Sequence, residues 1–212
     1  KGVDSFNIWA PEEFFKKLEN IIEKLREVRS LRKRIIVVLT LSTFILSSVC
    51  TPALAARKLL SVRAYEQEKT QWCWAASCRS VIKYCDGSSV SQEDIVEYIF
   101  GKVVNKPTGV TNMKKALAHW NVSSSKKLDP LTYSGLKSQI NDEQPIIAVL
   151  LKSGTDKGHA NVIRGYDTSY DGVLFIDPAD GDYHGQAYDD YLNGEHWNGV
   201  EYEWVNTVFD CH

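Results

Sequence analysis

The hydrophobic pattern of this 212-residue chain changes at Pro145. Before Pro145, apolar residues recur every three or four positions between capping and turn residues, as in amphipathic helices. This pattern predicts helices over residues 74–84, 91–101, 111–120 and 132–141. After Pro145, short apolar runs and one alternating stretch predict strands over residues 146–151, 159–166, 172–177 and 200–205. Helices followed by strands indicate an α+β fold, with an N-terminal helical half packed against a C-terminal antiparallel sheet.

A segment with the three parts of a secretory signal peptide lies inside the chain. The basic stretch Arg32–Arg34 is followed by fifteen uncharged, mostly apolar residues, 35–49, and then by an A-x-A motif at Ala53–Ala55. Fifteen helical residues span about 23 Å, which is short of the roughly 30 Å hydrocarbon core of a membrane. We therefore predict a signal peptide over 32–55 that is cleaved after Ala55, so that the protein is secreted or extracytoplasmic. A retained membrane anchor is the alternative.

The segments on either side of this signal peptide differ in character. Residues 11–31 predict an amphipathic helix within an N-terminal extension, 1–31. Its apolar stripe consists of Phe14, Phe15, Leu18, Ile21, Ile22, Leu25 and Val28. The extension is interpreted either as an over-long assigned start or as a leader that lies on a membrane surface or binds a partner. Residues 56–212 form the main domain, and its 157 residues are enough for an independent core.

Charge and cysteine spacing exclude several classes of function. The chain has 25 Lys and Arg against 27 Asp and Glu, and a net charge of −2 gives no basic field for nucleic acid. Cys73, Cys78 and Cys85 lack the paired spacing of a zinc site, so no metal and no cofactor are expected. We expect a monomer that meets the membrane only through its signal segment. A disulfide between Cys85 and Cys211 is the favoured pairing of the remaining cysteines.

One cysteine occupies a position suited to nucleophilic catalysis. The stretch QWCWAAS, residues 71–77, puts Cys73 in the first turn of a predicted helix, where the positive end of the helix favours a thiolate. A thiolate nucleophile needs a base, a group that orients the base, and donors for the oxyanion. His159 begins one predicted strand and Asp177 ends the next, so both lie at the open end of one hairpin. Gln67, six residues before Cys73, is the candidate oxyanion donor.

Other residues of the same types fit these roles less well. A buried structural cysteine is the alternative interpretation of Cys73. Gln71 is nearer to Cys73 than Gln67 is, but its side chain would have to fold back sharply. His119 is interpreted as a surface or packing residue, and His184 and His196 are interpreted as surface residues. The acidic, tyrosine-rich run Asp180–Tyr191 is interpreted as a solvated loop rather than as a selector of basic substrate side chains.

The ordered motifs Gln67-x5-Cys73-Trp74 and Gly158-His159-Ala160, followed by Asp177, resemble the papain-like cysteine peptidases. The stretch WCWAAS, residues 72–77, is most similar to the compact bacterial branch that includes secreted plant-avirulence proteases. The resemblance covers about residues 65–210. It implies a papain-like fold, Cys73 as nucleophile, His159 as general base and acid, Asp177 as the group that orients the imidazole, and Gln67 as an oxyanion donor. It also implies a protein or peptide substrate. His159 follows Cys73 by 86 residues, fewer than the roughly 130–150 of papain and cathepsins, so we expect a trimmed helical half.

The prediction is thus a secreted cysteine peptidase that hydrolyses peptide bonds. Two alternatives stay open on the residues alone. Cys, His and Asp in this order also serve other thiol-dependent amide hydrolases and acyl transferases, such as transglutaminase-like enzymes and cell-wall peptide hydrolases. A non-catalytic binding module on the same fold is the second alternative.

Overall fold

The computed structural model describes residues 12–46 and 55–212, and the chain divides into two units, Lys1–Leu54 and Ala55–His212. In the first unit, helix α1 runs over Glu12–Leu46, so the predicted amphipathic helix continues past the basic stretch. Its apolar stripe from Phe14 to Val28 is exposed. None of the helices in these two ranges is both long and apolar enough to cross a membrane. Most of the predicted cleavage motif, with residues 47–54, lies outside the described residues.

Four helices make up the first half of the second unit: α2 (Cys73–Cys85), α3 (Gln92–Phe100), α4 (Val110–His119) and α5 (Tyr133–Asn141). These confirm the four predicted helices, and capping side chains mark the starts of two of them, α3 and α5. Ser91 accepts from the backbone N–H of Asp94 and completes a capping box at the start of α3, and Gly101 ends the helix with φ 71°. Thr132 caps α5 by accepting from the N–H of Gly135.

Within the second unit, eight strands form one antiparallel sheet. They are β1 (Arg57–Leu59), β2 (Ser125–Lys127), β3 (Ile146–Lys152), β4 (Gly158–Asp167), β5 (Gly172–Asp177), β6 (Asp182–Ala187), β7 (Asn193–Glu195) and β8 (Glu201–Phe209). The order is β2-β8-β3-β4-β5-β6, with β1 paired to β4 and β7 paired to β8. The four predicted strands are β3, β4, β5 and β8, which confirms the α+β class and the antiparallel C-terminal sheet.

The run Asp180–Tyr191 is not the solvated loop that its composition suggested. It contains β6 and most of a short helix, α6 (Tyr188–Leu192), and the ring of Tyr191 is fully buried 4.9 Å from that of Phe175. His196 was also predicted to lie on the surface, but it is buried, with its ring 5.0 Å from that of Tyr191. Edge strand β6 exposes mostly polar side chains, so no apolar periodicity marks it in the sequence.

The expected disulfide is absent from the structure as well. Cys85 and Cys211 are both free, and the Cys85 thiol donates to the backbone carbonyl of Cys211 at 3.5 Å. The prediction therefore identified neighbouring residues but not a covalent link.

Helix α2 is the central element of the core and the one that positions the candidate site. Its buried side chains are Trp74, Ala75, Ala76, Ser77, Cys78, Ser80, Val81 and Ile82. The small Ala75 and Ala76 allow the helix to approach its neighbours closely. Ser77 donates to the carbonyl of Ala160 on β4 at 3.4 Å, so the first turns of α2 lie against the start of that strand.

Candidate active site

Cys73 is the first residue of α2, as the sequence predicts, and its side chain is partly exposed. The two flanking indoles fix this end of the helix. Trp72 donates from Nε1 to the carbonyl of Val104 at 2.9 Å, and Trp74 donates to that of Lys106 at 3.0 Å. The first N–H groups of a helix have no partner within the helix, so a helix start presents donors and a partial positive charge.

His159 and Asp177 meet at the open end of the β4–β5 hairpin. His159 is the second residue of β4, and Asp177 is the last residue of β5. Nε2 of His159 donates to Oδ1 of Asp177 at 2.5 Å, and the side chains of the pair are 13% and 2% exposed. Cys73 also lies close enough to the imidazole to act on the pKa of His159. Because Asp177 occupies Nε2, Nδ1 is the nitrogen that remains for proton exchange with the sulfur.

The electrostatics of this trio favour a protonated imidazole. Burial by itself would lower the pKa of His159, but the hydrogen bonds to Asp177 and Cys73, together with their negative charges, raise it to about 10. Burial would raise the pKa of Asp177, but the hydrogen bond and charge of His159 lower it overall. The backbone N–H of Ala179, which donates to Oδ1 at 2.9 Å, acts in the same direction. An imidazolium beside a thiol is the arrangement that stabilises a thiolate.

The other cysteines of the second unit lie in the opposite environment. Burial raises the pKa of Cys78 far above its usual range, and Cys211 is shifted in the same direction for the same reason. Burial, and then the charge of Asp86, raise the pKa of Cys85 to about 11. These three groups therefore stay as unreactive thiols at neutral pH.

Gln67 is near the site, but its side-chain amide makes its hydrogen bond elsewhere and not to Cys73. Its backbone N–H donates to the carbonyl of Pro178, the residue after Asp177, at 2.7 Å. Its amide Nε2 donates to the carbonyl of Lys69 at 3.0 Å. The alternative, Gln71, is exposed, and its backbone N–H bonds to the side chain of Asn105.

Trp197 is a member of the site that the sequence analysis missed. Its indole Nε1 donates to Oδ2 of Asp177 at 3.2 Å, and its ring stacks on His184 with centroids 3.9 Å apart. His184 in turn bonds to Asp180 at 3.0 Å. Its side chain is therefore held by neighbouring side chains and does not extend freely from the surface. Trp197 lies twenty residues after Asp177, between β7 and β8. The only signal for it is a large aromatic residue in a polar turn.

His119 and the remaining acidic groups contribute nothing to this trio. His119 is exposed and stacks on Tyr98, with ring centroids 3.8 Å apart, as a surface packing residue. Within the ranges that the structure describes, no group of three or more His, Cys, Asp or Glu residues could hold a metal ion.

Comparisons with known proteins concern the family and the fold of this chain. Residues 59–210 match the model of the Peptidase_C39-like family, and no curated protein sequence matches the chain. A protein from Bacillus anthracis described as a C39-like peptidase is 13% identical, with 73% of this chain and 97% of that chain covered and a TM-score of 0.54. Xylellain, a cysteine protease from Xylella fastidiosa, is 12% identical, with 72% and 85% covered and a TM-score of 0.54.

A third solved structure is a double glycine motif protease from an AMS/PCAT transporter in complex with the leader peptide. It is 16% identical, with 73% of this chain and 95% of that chain covered and a TM-score of 0.50. At these identities the likeness concerns the fold.

Proposed function

This chain belongs to the Peptidase_C39-like family and is a cysteine-type peptidase, and we propose that Cys73, His159 and Asp177 are its catalytic residues. The observation that carries the proposal is the contact of His159 with both partners. It donates to Asp177 at 2.5 Å, and the hydrogen bond from Ser77 to Ala160 holds the start of α2, where Cys73 lies, beside it. A base that is oriented by a third group and bonded to the nucleophile is the geometry that nucleophilic catalysis requires.

The proposed reaction follows from this geometry. The Cys73 thiolate attacks the substrate carbonyl carbon and forms a tetrahedral oxyanion. The imidazolium of His159 then protonates the leaving amine as the C–N bond breaks, which leaves a thioester. Water, deprotonated by His159, attacks the thioester carbonyl, and the C–S bond breaks to release the carboxylic acid and regenerate the Cys73 thiolate beside the imidazolium. Asp177 keeps the imidazole oriented throughout, because both its oxygens are held by hydrogen bonds.

Two donors are proposed for the oxyanion. The backbone N–H of Cys73 belongs to the first residue of α2 and is free of intrahelical bonding. The side chain of Gln67 is the second donor. For this role its amide must leave the carbonyl of Lys69, which a rotation about its side-chain torsions allows because Gln67 is only partly buried. Each oxyanion donor contributes about 10²- to 10³-fold to kcat.

The proposed substrate is a protein or peptide, and the proposed enzyme is a monomer. The leader peptide bound to the structurally similar double glycine motif protease supports a peptide substrate. No nucleic acid is expected as a partner, because the net charge of the chain is −2.

Export is proposed from the sequence of residues 32–55. The test is intact-mass analysis of the protein made from the full chain in a secreting host. A mature chain that begins at Ala56 in the extracellular fraction supports cleavage after Ala55. A full-length chain that stays in the membrane fraction would support the anchor instead.

Hydrolysis of a peptide library tests the catalytic assignment. We expect Cys73→Ala to abolish cleavage while its circular dichroism and melting temperature match the wild type. The matched control is Cys85→Ala, which removes a thiol of the same helix that bonds only to the Cys211 carbonyl, and we expect it to retain cleavage. Cleavage that survives in Cys73→Ala would refute the assignment.

A further inference from the structure

A buried glutamine on α3 clamps the chain on both sides of Gln67. Gln92 is the first residue of α3 and is fully buried, although the first helical position is usually a surface position. Its Nε2 donates to the carbonyl of Glu66 at 2.7 Å, and its Oε1 accepts from the backbone N–H of Glu68 at 3.1 Å. A buried amide is tolerated only when its polar atoms are paired, and here both of them bind one three-residue segment.

The side chain of Gln92 pairs with this segment in the way that the backbone of a neighbouring β-strand would. In extended backbone, the carbonyl of one residue and the N–H of the second residue after it point to the same side. The side-chain amide of Gln92 pairs with both groups, and the residue between them is Gln67. The N–H of Gln67 points to the other side, where it donates to the carbonyl of Pro178 at 2.7 Å. The segment that carries Gln67 is therefore held along both edges.

The second edge of the segment is directly connected to the catalytic trio. Pro178 follows Asp177, and Gly181 ends the turn by donating its N–H to the carbonyl of Asp177 at 2.8 Å. Gly181 has φ +68°, and a Cβ there would lie 2.8 Å from the backbone nitrogen of Glu66. The backbone around Gln67 thus lies between the Asp177 turn on one side and the amide of Gln92 on the other.

We propose that Gln92 is a positioning residue, which holds the Glu66–Glu68 backbone so that the Gln67 side chain can reach the oxyanion formed at Cys73. This inference rests on the proposed function, because it assigns Gln67 the role of oxyanion donor. The start of α3 is fixed independently by its capping box, in which Ser91 and Asp94 bond reciprocally. Gln92 therefore projects from a rigid support, which is what a precise functional geometry needs.

The chain offers a matched control for this role. Gln139 on α5 also makes two hydrogen bonds to one residue, donating to Oδ1 of Asp210 at 2.8 Å and accepting from its backbone N–H at 2.7 Å. Gln139→Met and Gln92→Met each remove one amide that makes two hydrogen bonds and keep a side chain of similar length. Of these two glutamines, only Gln92 bonds to the residues on either side of Gln67.

The first experiment is a double-mutant cycle on peptide hydrolysis. We expect Gln92→Met to lower kcat by about 10- to 100-fold with little change in KM, the size of effect that a displacement of about 1 Å at a catalytic group produces. Gln139→Met is expected to leave kcat unchanged. In a Gln67→Ala background, Gln92→Met should lower kcat by less than about twofold, because the group that it positions is gone. An equal loss in both backgrounds would overturn the proposal.

The single variant Gln67→Ala separates this proposal from the proposed function. A loss of about 10²- to 10³-fold in kcat supports Gln67 as oxyanion donor. If Gln67→Ala keeps full activity while Gln92→Met loses it, positioning through Gln67 is wrong, and the roles of Cys73 and His159 still stand.

Backbone hydrogen exchange tests the clamp without any substrate. The Gln67 N–H bonds to Pro178, a contact that Gln92→Met does not remove, so its exchange rate reports whether the whole segment is held. We expect exchange at Gln67 to accelerate at least tenfold in Gln92→Met and to stay unchanged in Gln139→Met. Unchanged exchange at Gln67 in both variants would contradict the clamp, whatever the activity of the protein.

Discussion

Replacing Asp177 by asparagine separates the charge of this residue from its shape. Asp177→Asn keeps an oxygen that can accept from Nε2 of His159 but removes the carboxylate charge. In the wild type the pKa of His159 is raised from 6.5 to about 10. At 1.36 kcal/mol per unit, this shift corresponds to about 5 kcal/mol in favour of the protonated imidazole. Burial opposes this shift; Asp177 outweighs it through both a hydrogen bond and its charge, and Cys73 raises the pKa further.

The expected result is a change in the alkaline limb of the pH profile of kcat/KM. Because the folded pKa is raised, the imidazolium persists through neutral pH and is lost only as the pH rises toward 10. Without the carboxylate charge, His159 loses its proton at lower pH, so the alkaline limb moves down by at least one pH unit. The free energy of unfolding has the same pH dependence. The contribution of the His159–Asp177 pair to it is fully present below pH 6.5 and is lost as the pH rises through the folded-state pKa of His159. The melting temperature of Asp177→Asn should therefore fall less between pH 6.5 and 10 than that of the wild type.

Asp182→Asn is the matched control for this prediction. Asp182 is the β6 residue paired with Asp177 in the sheet register, and it is exposed. Its substitution removes the same charge nearby without touching the hydrogen bond to His159. An alkaline limb that stays in place in Asp177→Asn, or moves equally in Asp182→Asn, would refute the reasoning.

Three other predictions concern the supports of the site. Trp197→Phe removes the N–H that bonds to Oδ2 of Asp177 but keeps the stacked ring, so steady-state kinetics should show kcat/KM about 10- to 100-fold lower, in line with about 1.5–3 kcal/mol for a hydrogen bond to a charged group. If kcat/KM of this variant equals that of the wild type, the indole has no role in the site. Gly181→Ala forces a Cβ against Glu66 at φ +68°, so thermal denaturation should show a melting temperature lower by several degrees, and an unchanged value would contradict the tight packing. Ser91→Ala removes the cap of α3 and should cost about 1 kcal/mol of unfolding free energy in urea titrations; no loss would mean that the cap is dispensable.

The parts of the fold that sequence predicts are those with local causes. Ser91 and Gly101 mark the two ends of α3 by chemistry that acts within a single turn. The apolar runs at 146–151 and 172–177 predict buried strands, because a short run of consecutive apolar residues fits a strand that is covered on both faces. In contrast, β6 and α6 form because Tyr191 finds a buried position against Phe175, which depends on distant parts of the chain. No local pattern encodes that position.

The same distinction applies to the site. Cys73 at a helix start, and His159 and Asp177 at one end of a hairpin, follow from element boundaries, so they could be predicted. Trp197 reaches Asp177 across the fold from a separate turn, and Gln92 reaches the backbone around Gln67 from another helix. Their roles depend on packing that only the tertiary structure reveals.

The central claim is that the imidazole of His159 activates the sulfur of Cys73 as the nucleophile. Alkylation by iodoacetamide at pH 7, with the labelled cysteine identified by mass spectrometry, measures this most directly. The account predicts rapid labelling of Cys73, little labelling of Cys78, Cys85 or Cys211 in the native protein, and a large fall in the rate in folded His159→Ala. Equal rates at Cys73 in the wild type and in His159→Ala would contradict it.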